Sequence, residues 1–129
     1  MFASIAFAAA LSSADMAEFK RVNHDINTID RRSAPLAPQA ERDGVYDCED
    51  YAWGKYNALR GYGVSPDRMK LYAVTTASQE RHMILVVDGL VFDNLEPRLE
   101  PESKAKAWYK GRWDDRTDDP NRIYINLEP

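Results

Sequence analysis

This chain is nearly empty of cysteine, with Cys48 the single thiol in 129 residues. A lone thiol excludes an internal disulfide and a cysteine-rich zinc site, and leaves either a buried structural residue or a reactive one. Histidine is almost as scarce, so imidazole chemistry has two possible places, His24 and His82. No basic run interleaved with aromatics occurs, and the formal net charge is −4; both argue against a nucleic-acid groove. Long apolar runs are missing too. Residues 1–14, "MFASIAFAAALSSA", precede the first charge at Asp15 and are too short to span a bilayer. They have the apolar stretch and small-residue end of a secretory signal but no basic start. That leaves two readings, a signal remnant or a helix packed on the domain. Neither an internal repeat nor a low-complexity block is found.

What is present suits one folded domain over residues 15–129. Hydrophobic residues make up 44% and charged residues 29%, an ordinary balance for a globular chain, and the length is that of one domain. Phe19, Val22, Ile26 and Ile29 recur at three and four residues, which predicts an amphipathic helix over 15–29. Residues 30–44, with Pro35, Pro38 and Gly44, read as a loop. From Asp47 the stripe Cys48, Ala52, Tyr56 and Leu59 predicts a second helix, ended by Gly61 and Gly63. Residues 71–75 and 83–87 are strand-like, and 90–92 return as the partner of the latter. A polar connector after Pro97, an aromatic patch (Trp108, Tyr109, Trp113) and a last strand over 123–127 complete the chain. Helices first and an antiparallel sheet after them make the expected class α+β.

The dipeptide Asp88-Gly89 is a strong two-residue hairpin signal, and it sets a register. Val87 should pair with Leu90, Val86 with Val91, Leu85 with Phe92 and Ile84 with Asp93. Opposed residues share a face, as do residues two apart on a strand. His82, Ile84 and Asp93 therefore lie on one face, with His82 and Asp93 diagonal neighbours about 7–8 Å apart at the backbone. A slip of one residue would separate them. Alone, His82 could be an ordinary hydrogen-bonded histidine, and Asp93 before Asn94 could merely end a strand. His24 falls off the apolar stripe of its helix and reads as solvated.

Cys48 falls in the first turn of the second helix, where free N–H groups and the helix dipole stabilise a thiolate. A nucleophilic thiol also needs a base within reach and a group to orient that base. Cys48, His82 and Asp93 supply those three types. The bland reading, in which Cys48 is simply the first core residue of its stripe, stays open on these grounds.

Three separated motifs, "DCEDYAWGKYNALRGYGV", "RHMILVV" and "GLVFDNL", with "FKRVNHDIN" before them and "AWYKGRW" and "NRIYINL" after, resemble the bacterial transglutaminase-like cysteine peptidases. These are the relatives of the periplasmic protease that releases biofilm adhesins. The resemblance runs from about Glu18 to Leu127. It implies a papain/transglutaminase-like core, with N-terminal helices packed on an antiparallel β-sheet. It also implies a Cys48 nucleophile, His82 as base and then acid, and Asp93 as orienter. In adhesin-cleaving members the acids flanking the cysteine belong to a calcium site, which maps to Asp47 and Glu49. Oxygen ligands suit calcium, although Asp47 as an N-cap and Glu49 and Asp50 as dipole partners would also explain these acids. Tyr46 stands where the family has glycine, and the segment before the cysteine is shorter than usual, without its customary Asp and Trp.

The expected function is a cysteine hydrolase that cuts peptide bonds through a Cys-His-Asp triad and an acyl-enzyme, processing a protein or peptide substrate. A transglutaminase or other amidase on the same triad is one alternative. A non-catalytic binding module on the same fold is another. Calcium is the only cofactor expected, with no nucleic-acid partner and no membrane span; oligomeric state is open. The resemblance implies a periplasmic or secreted setting. A cytoplasmic one follows if the chain is phage-encoded or its N-terminal segment is not a signal.

Overall fold

The computed structural model describes residues 11–29 and 48–118. The first helix, α1 (Ser13–Asn27), starts two residues before the expected position because Ser12 caps it, its hydroxyl accepting from the Asp15 N–H at 3.0 Å. Such a cap satisfies one of the orphan donors of the first turn. Ser13 and Ala14, read with the apolar N-terminal segment, thus belong to α1, and Leu11 packs on the core. Phe19 and Val22 are buried, with Ile26 and Ile29 packed beside them, while His24 is exposed.

The second helix, α2 (Cys48–Tyr62), passes through Gly61 and ends at Gly63, whose φ is +116°. There the Val64 N–H reaches the Leu59 carbonyl at 2.9 Å and the Gly63 N–H that of Arg60 at 3.1 Å. This is a Schellman stop, which needs the left-handed conformation that glycine adopts without penalty. Nearly every residue of α2 from Asp50 to Tyr56 is buried. That includes positions off the expected stripe, so the helix is enclosed on more than one side.

After a 3₁₀ turn at Pro66–Arg68 come β1 (Met69–Thr75), β2 (Arg81–Val87), β3 (Leu90–Phe92), β4 (Glu100–Pro101), α3 (Glu102–Trp108) and β5 (Asp114–Asp115). The strands form one antiparallel sheet in the order β4-β3-β2-β1-β5. The β2–β3 register is the expected one: Val87 opposite Leu90, Val86 opposite Val91, Leu85 opposite Phe92. Asp88 and Gly89 both have positive φ, +52° and +81°, as a type I′ turn requires. Asp88 is further held by Arg68, whose Nε donates to its carboxylate at 3.1 Å.

Both faces of the sheet are covered, which is why β2 is apolar along its length rather than alternating. Met83, Leu85 and Val87 join Met69, Leu71 and Phe92 in a core shared with α1 and α2. On the opposite face Ile84, Val86, Val74 and Val91 pack with Ala105 and Tyr109, flanked by Trp108 and Trp113. The connector read as polar is therefore partly helical. Seven residues with one buried alanine show no period, so α3 is held by Ala105 and the aromatics behind it rather than by an apolar stripe. The expected strand over 123–127 and the loop over 30–44 lie outside the described residues.

Candidate active site

The hairpin register brings His82 and Asp93 together. His82 opposes Val74 near the start of β2, and Asp93 follows β3 directly. His82 Nε2 is 2.7 Å from Asp93 Oδ1, with the two residues 5% and 1% exposed. This meets the diagonal placement expected from the turn. Asp93 is saturated with donors. Oδ1 also accepts from the Leu95 N–H at 2.9 Å, and Oδ2 from the Tyr109 hydroxyl at 2.6 Å. A buried carboxylate with this many donors stays ionised. Burial alone would raise its pKa, but the bonds from His82, Tyr109 and Leu95 outweigh that and hold it below the usual carboxylate range.

Helix α1 locks the segment after β3. Asn27 Nδ2 donates to the Asp93 carbonyl and Asn23 Nδ2 to that of Pro97, each at 3.0 Å. The two asparagines are four apart, so one helical face holds both ends of this turn. The sequence shows them as the two asparagines of "FKRVNHDIN", one of the segments that carry the family resemblance, but not what they bind.

Cys48 is the first residue of α2, half-buried against the core, and close enough to His82 to favour the charged imidazole. Burial opposes a charge on His82, but Asp93 and Cys48 prevail and raise its pKa to about 9. An imidazolium is therefore favoured at neutral pH, between a thiol on a helix N-terminus and a fixed carboxylate. The three expected residues, Cys48, His82 and Asp93, are thus brought together, with His82 bonded to Asp93 and Cys48 acting on the same imidazole.

A fourth group was not legible as part of this site. Lys55 follows Cys48 by two helical turns on the same side of α2 and is only 1% exposed. Burial lowers its pKa to about 7, with the negative charge of Asp93 acting in the opposite sense. Its signal in the sequence was a lysine seven residues after the cysteine, inside an apolar stripe. Tyr109 was visible as one of three clustered aromatics and within "AWYKGRW", a segment that carries the family resemblance, but its partner was not.

Of the acids around the thiol, Glu49 is half-buried and Asp50 fully buried, while Asp47 lies outside the described residues. Buried carboxylates need donors or a cation, and the oxygen chemistry of this stretch fits calcium. Among the described residues no group of three or more His, Cys, Asp or Glu side chains is placed to hold a metal. No helix among the described residues is long and apolar enough to cross a membrane.

The family model described as bacterial transglutaminase-like cysteine proteinase matches residues 3–122. Among solved structures, calcium-bound Legionella pneumophila LapG is similar at 25% identity and a TM-score of 0.56, over 69% of this chain and 59% of that one. An EGTA-treated form of the same protein aligns over 85% of this chain and 76% of that one, with a TM-score of 0.62 and 20% identity. The chain thus spans about three-fifths of the length of the calcium-bound neighbour. No curated protein matches. These likenesses agree with the α+β, transglutaminase-like architecture expected from the sequence.

Proposed function

The chain belongs to the bacterial transglutaminase-like cysteine proteinases, and from that premise we propose that it is a cysteine peptidase working through Cys48, His82 and Asp93. The observation that carries this reading is the buried His82–Asp93 bond, with Cys48 close enough to the same imidazole to favour its charge. Asp93 fixes the ring and supports its positive charge, so His82 can take the proton from Cys48 and hold it.

The thiolate then attacks the carbonyl carbon of a peptide bond. The developing oxyanion is met at the helix N-terminus, where the Cys48 backbone N–H is available as a donor. His82 passes its proton to the leaving amine, the C–N bond breaks, and a thioester remains on Cys48. Water, deprotonated by His82, adds to that thioester, and thiolate departs with the acid product. If a lysine amine were the second acceptor instead, the same thioester would give cross-linking. The products distinguish a peptidase from a transglutaminase, and a protein or peptide is the proposed substrate in either case.

Calcium is the second element of this reading. Asp47 and Glu49 would hold it, beside the fully buried Asp50. When bound, the ion would neutralise the acids that otherwise disfavour a thiolate at Cys48.

An electrophilic peptide probe tests the assignment. Labelling of the wild-type chain, lost in Cys48→Ala and strongly slowed in His82→Ala, is the expected result. Labelling of Cys48→Ala at the wild-type rate would overturn the nucleophile, and full-rate labelling of His82→Ala the base. A chain that takes no label and cuts no peptide, yet binds protein, would leave a binding module on the same fold.

A further inference from the structure

We propose that Tyr109 is a positioning residue of this site, fixing the plane of the Asp93 carboxylate and shielding the imidazole of His82 from water. The proposal rests on the peptidase reading and deepens it.

Asp93 has two oxygens, and His82 occupies only one of them. A carboxylate held on one oxygen can swing about its Cβ–Cγ bond, and the imidazole would swing with it. The Tyr109 hydroxyl, 2.6 Å from Oδ2, closes the second oxygen, while the Leu95 N–H shares Oδ1 with His82. Three donors from three separate parts of the chain thus fix one carboxylate.

The phenol also lies against the histidine itself. The two ring centroids are 5.7 Å apart with planes inclined at 46°. Tyr109 belongs to the apolar cluster of Val74, Ile84, Val86 and Val91 on that face of the sheet. Water has little room to compete for the hydroxyl, so its bond to a charged oxygen keeps its strength.

Tyr109 is in turn held by its own segment. Its N–H donates to the Ala105 carbonyl at 2.9 Å, and its carbonyl accepts from Trp113 Nε1 at 2.8 Å. The Trp108 ring meets the phenol edge-on at 6.2 Å. This accounts for the run "AWYKGRW": α3 and the two tryptophans aim one hydroxyl at Asp93. A tyrosine serving only as core filler has no reason to direct its hydroxyl onto a buried charge.

The test is a double-mutant cycle read by labelling rate with the electrophilic peptide probe. Tyr109→Phe keeps the ring and removes the donor. A hydrogen bond to a charged group of this kind corresponds to a rate loss of about tenfold or more. The same substitution added to Asp93→Ala should cost nothing further, because its target is gone. A Tyr109→Phe chain that labels at the wild-type rate would overturn the proposal. An equal loss with and without Asp93 would do so too, since it would mark a merely structural role. If Cys48→Ala labels like wild type, the peptidase reading itself fails; if only Tyr109→Phe is silent, that reading survives.

Should Tyr109→Phe fail to fold, fluorotyrosine at position 109 keeps ring and hydroxyl and changes only donor acidity. A stronger donor draws charge from Asp93, so the alkaline limb of labelling against pH, which reports His82, should move to lower pH. An unmoved limb would overturn the coupling.

Discussion

His82 Nε2 lies 2.7 Å from Asp93 Oδ1, in a place where neither side chain meets solvent. The ten residues between them cover most of β2, a two-residue turn and all of β3, so their distance is set by one hairpin register. The pair is both buried and charge-complementary, so the proposed chemistry and the stability of the fold can be tested on the same two residues.

The first prediction concerns the pH dependence of labelling. The imidazolium form of His82 persists to about pH 9, raised by Asp93 and Cys48 against the opposing effect of burial. Reactivity that requires a thiolate beside an imidazolium should fall as pH rises through that value. In Asp93→Asn the carboxylate that sustains the charge is gone, so the alkaline limb should move to lower pH. A rate profile in which both chains lose activity at the same pH would remove Asp93 from the account.

Lys55 and His82 should have opposite effects on stability. His82 is raised from its ordinary 6.5 to about 9 in the folded chain, so its contribution is full below pH 6.5 and is lost as pH rises through 9. Lys55 is lowered from 10.5 to about 7. Between those values the unfolded chain binds more protons, and stability therefore rises with pH. From about pH 7 to 9 the two slopes oppose each other. Lys55→Met should then show stability falling across that interval more steeply than wild type, by chemical denaturation at a series of pH values. Identical slopes would mean that Lys55 is charged in the folded chain.

Phe92 anchors the strand that delivers Asp93. It is fully buried, with its ring 5.6 Å from that of Phe19 on α1. Phe92→Ala should cost about 3–5 kcal/mol, the range for large core aromatics. The labelling rate should fall as well, because Phe92 anchors the end of the strand that delivers Asp93. Denaturant unfolding and probe kinetics on the same sample check both halves.

Gly89 sits at φ +81° in the turn. A side chain there is strained by about 1–2 kcal/mol. No neighbour lies within 4 Å of an added Cβ, so the loss in Gly89→Ala comes from backbone conformation alone. Urea titration should show that shift in midpoint with an unchanged slope. No shift would mean that the turn has relaxed to another type, and the His82–Asp93 register with it.

Calcium, if it is held beside Cys48, should raise the melting temperature of the chain, and chelation should reverse the gain. Asp47→Ala and Glu49→Gln should each weaken the response. Melting curves that coincide with calcium and with chelator would exclude the ion from this site.

Much of the site could be read without coordinates because it is local. Asp88-Gly89 fixes the turn, the turn fixes the register, and the register puts His82 beside Asp93. The Cys48 stripe likewise follows from helical period alone. The short strands β4 and β5 could not be read, since two residues carry no alternation. Nor could α3, whose single buried alanine gives no stripe. Those elements exist because the sheet offers them an edge or a face.

What the sequence by itself determined, then, was the class of the fold and the hairpin that sets His82 beside Asp93, both consequences of spacing along neighbouring elements, while the roles of Cys48, His82 and Asp93 were implied by the family resemblance. Tertiary structure alone decided what surrounds them. Asn23 and Asn27 clamp the turn after β3, Lys55 lies buried within the field of Asp93, and Tyr109 fills the second oxygen of the acid. Each of these acts across a long stretch of chain, through packing that no local period encodes. A polar residue in an apolar stripe cannot show its partner until the elements that bury it have met.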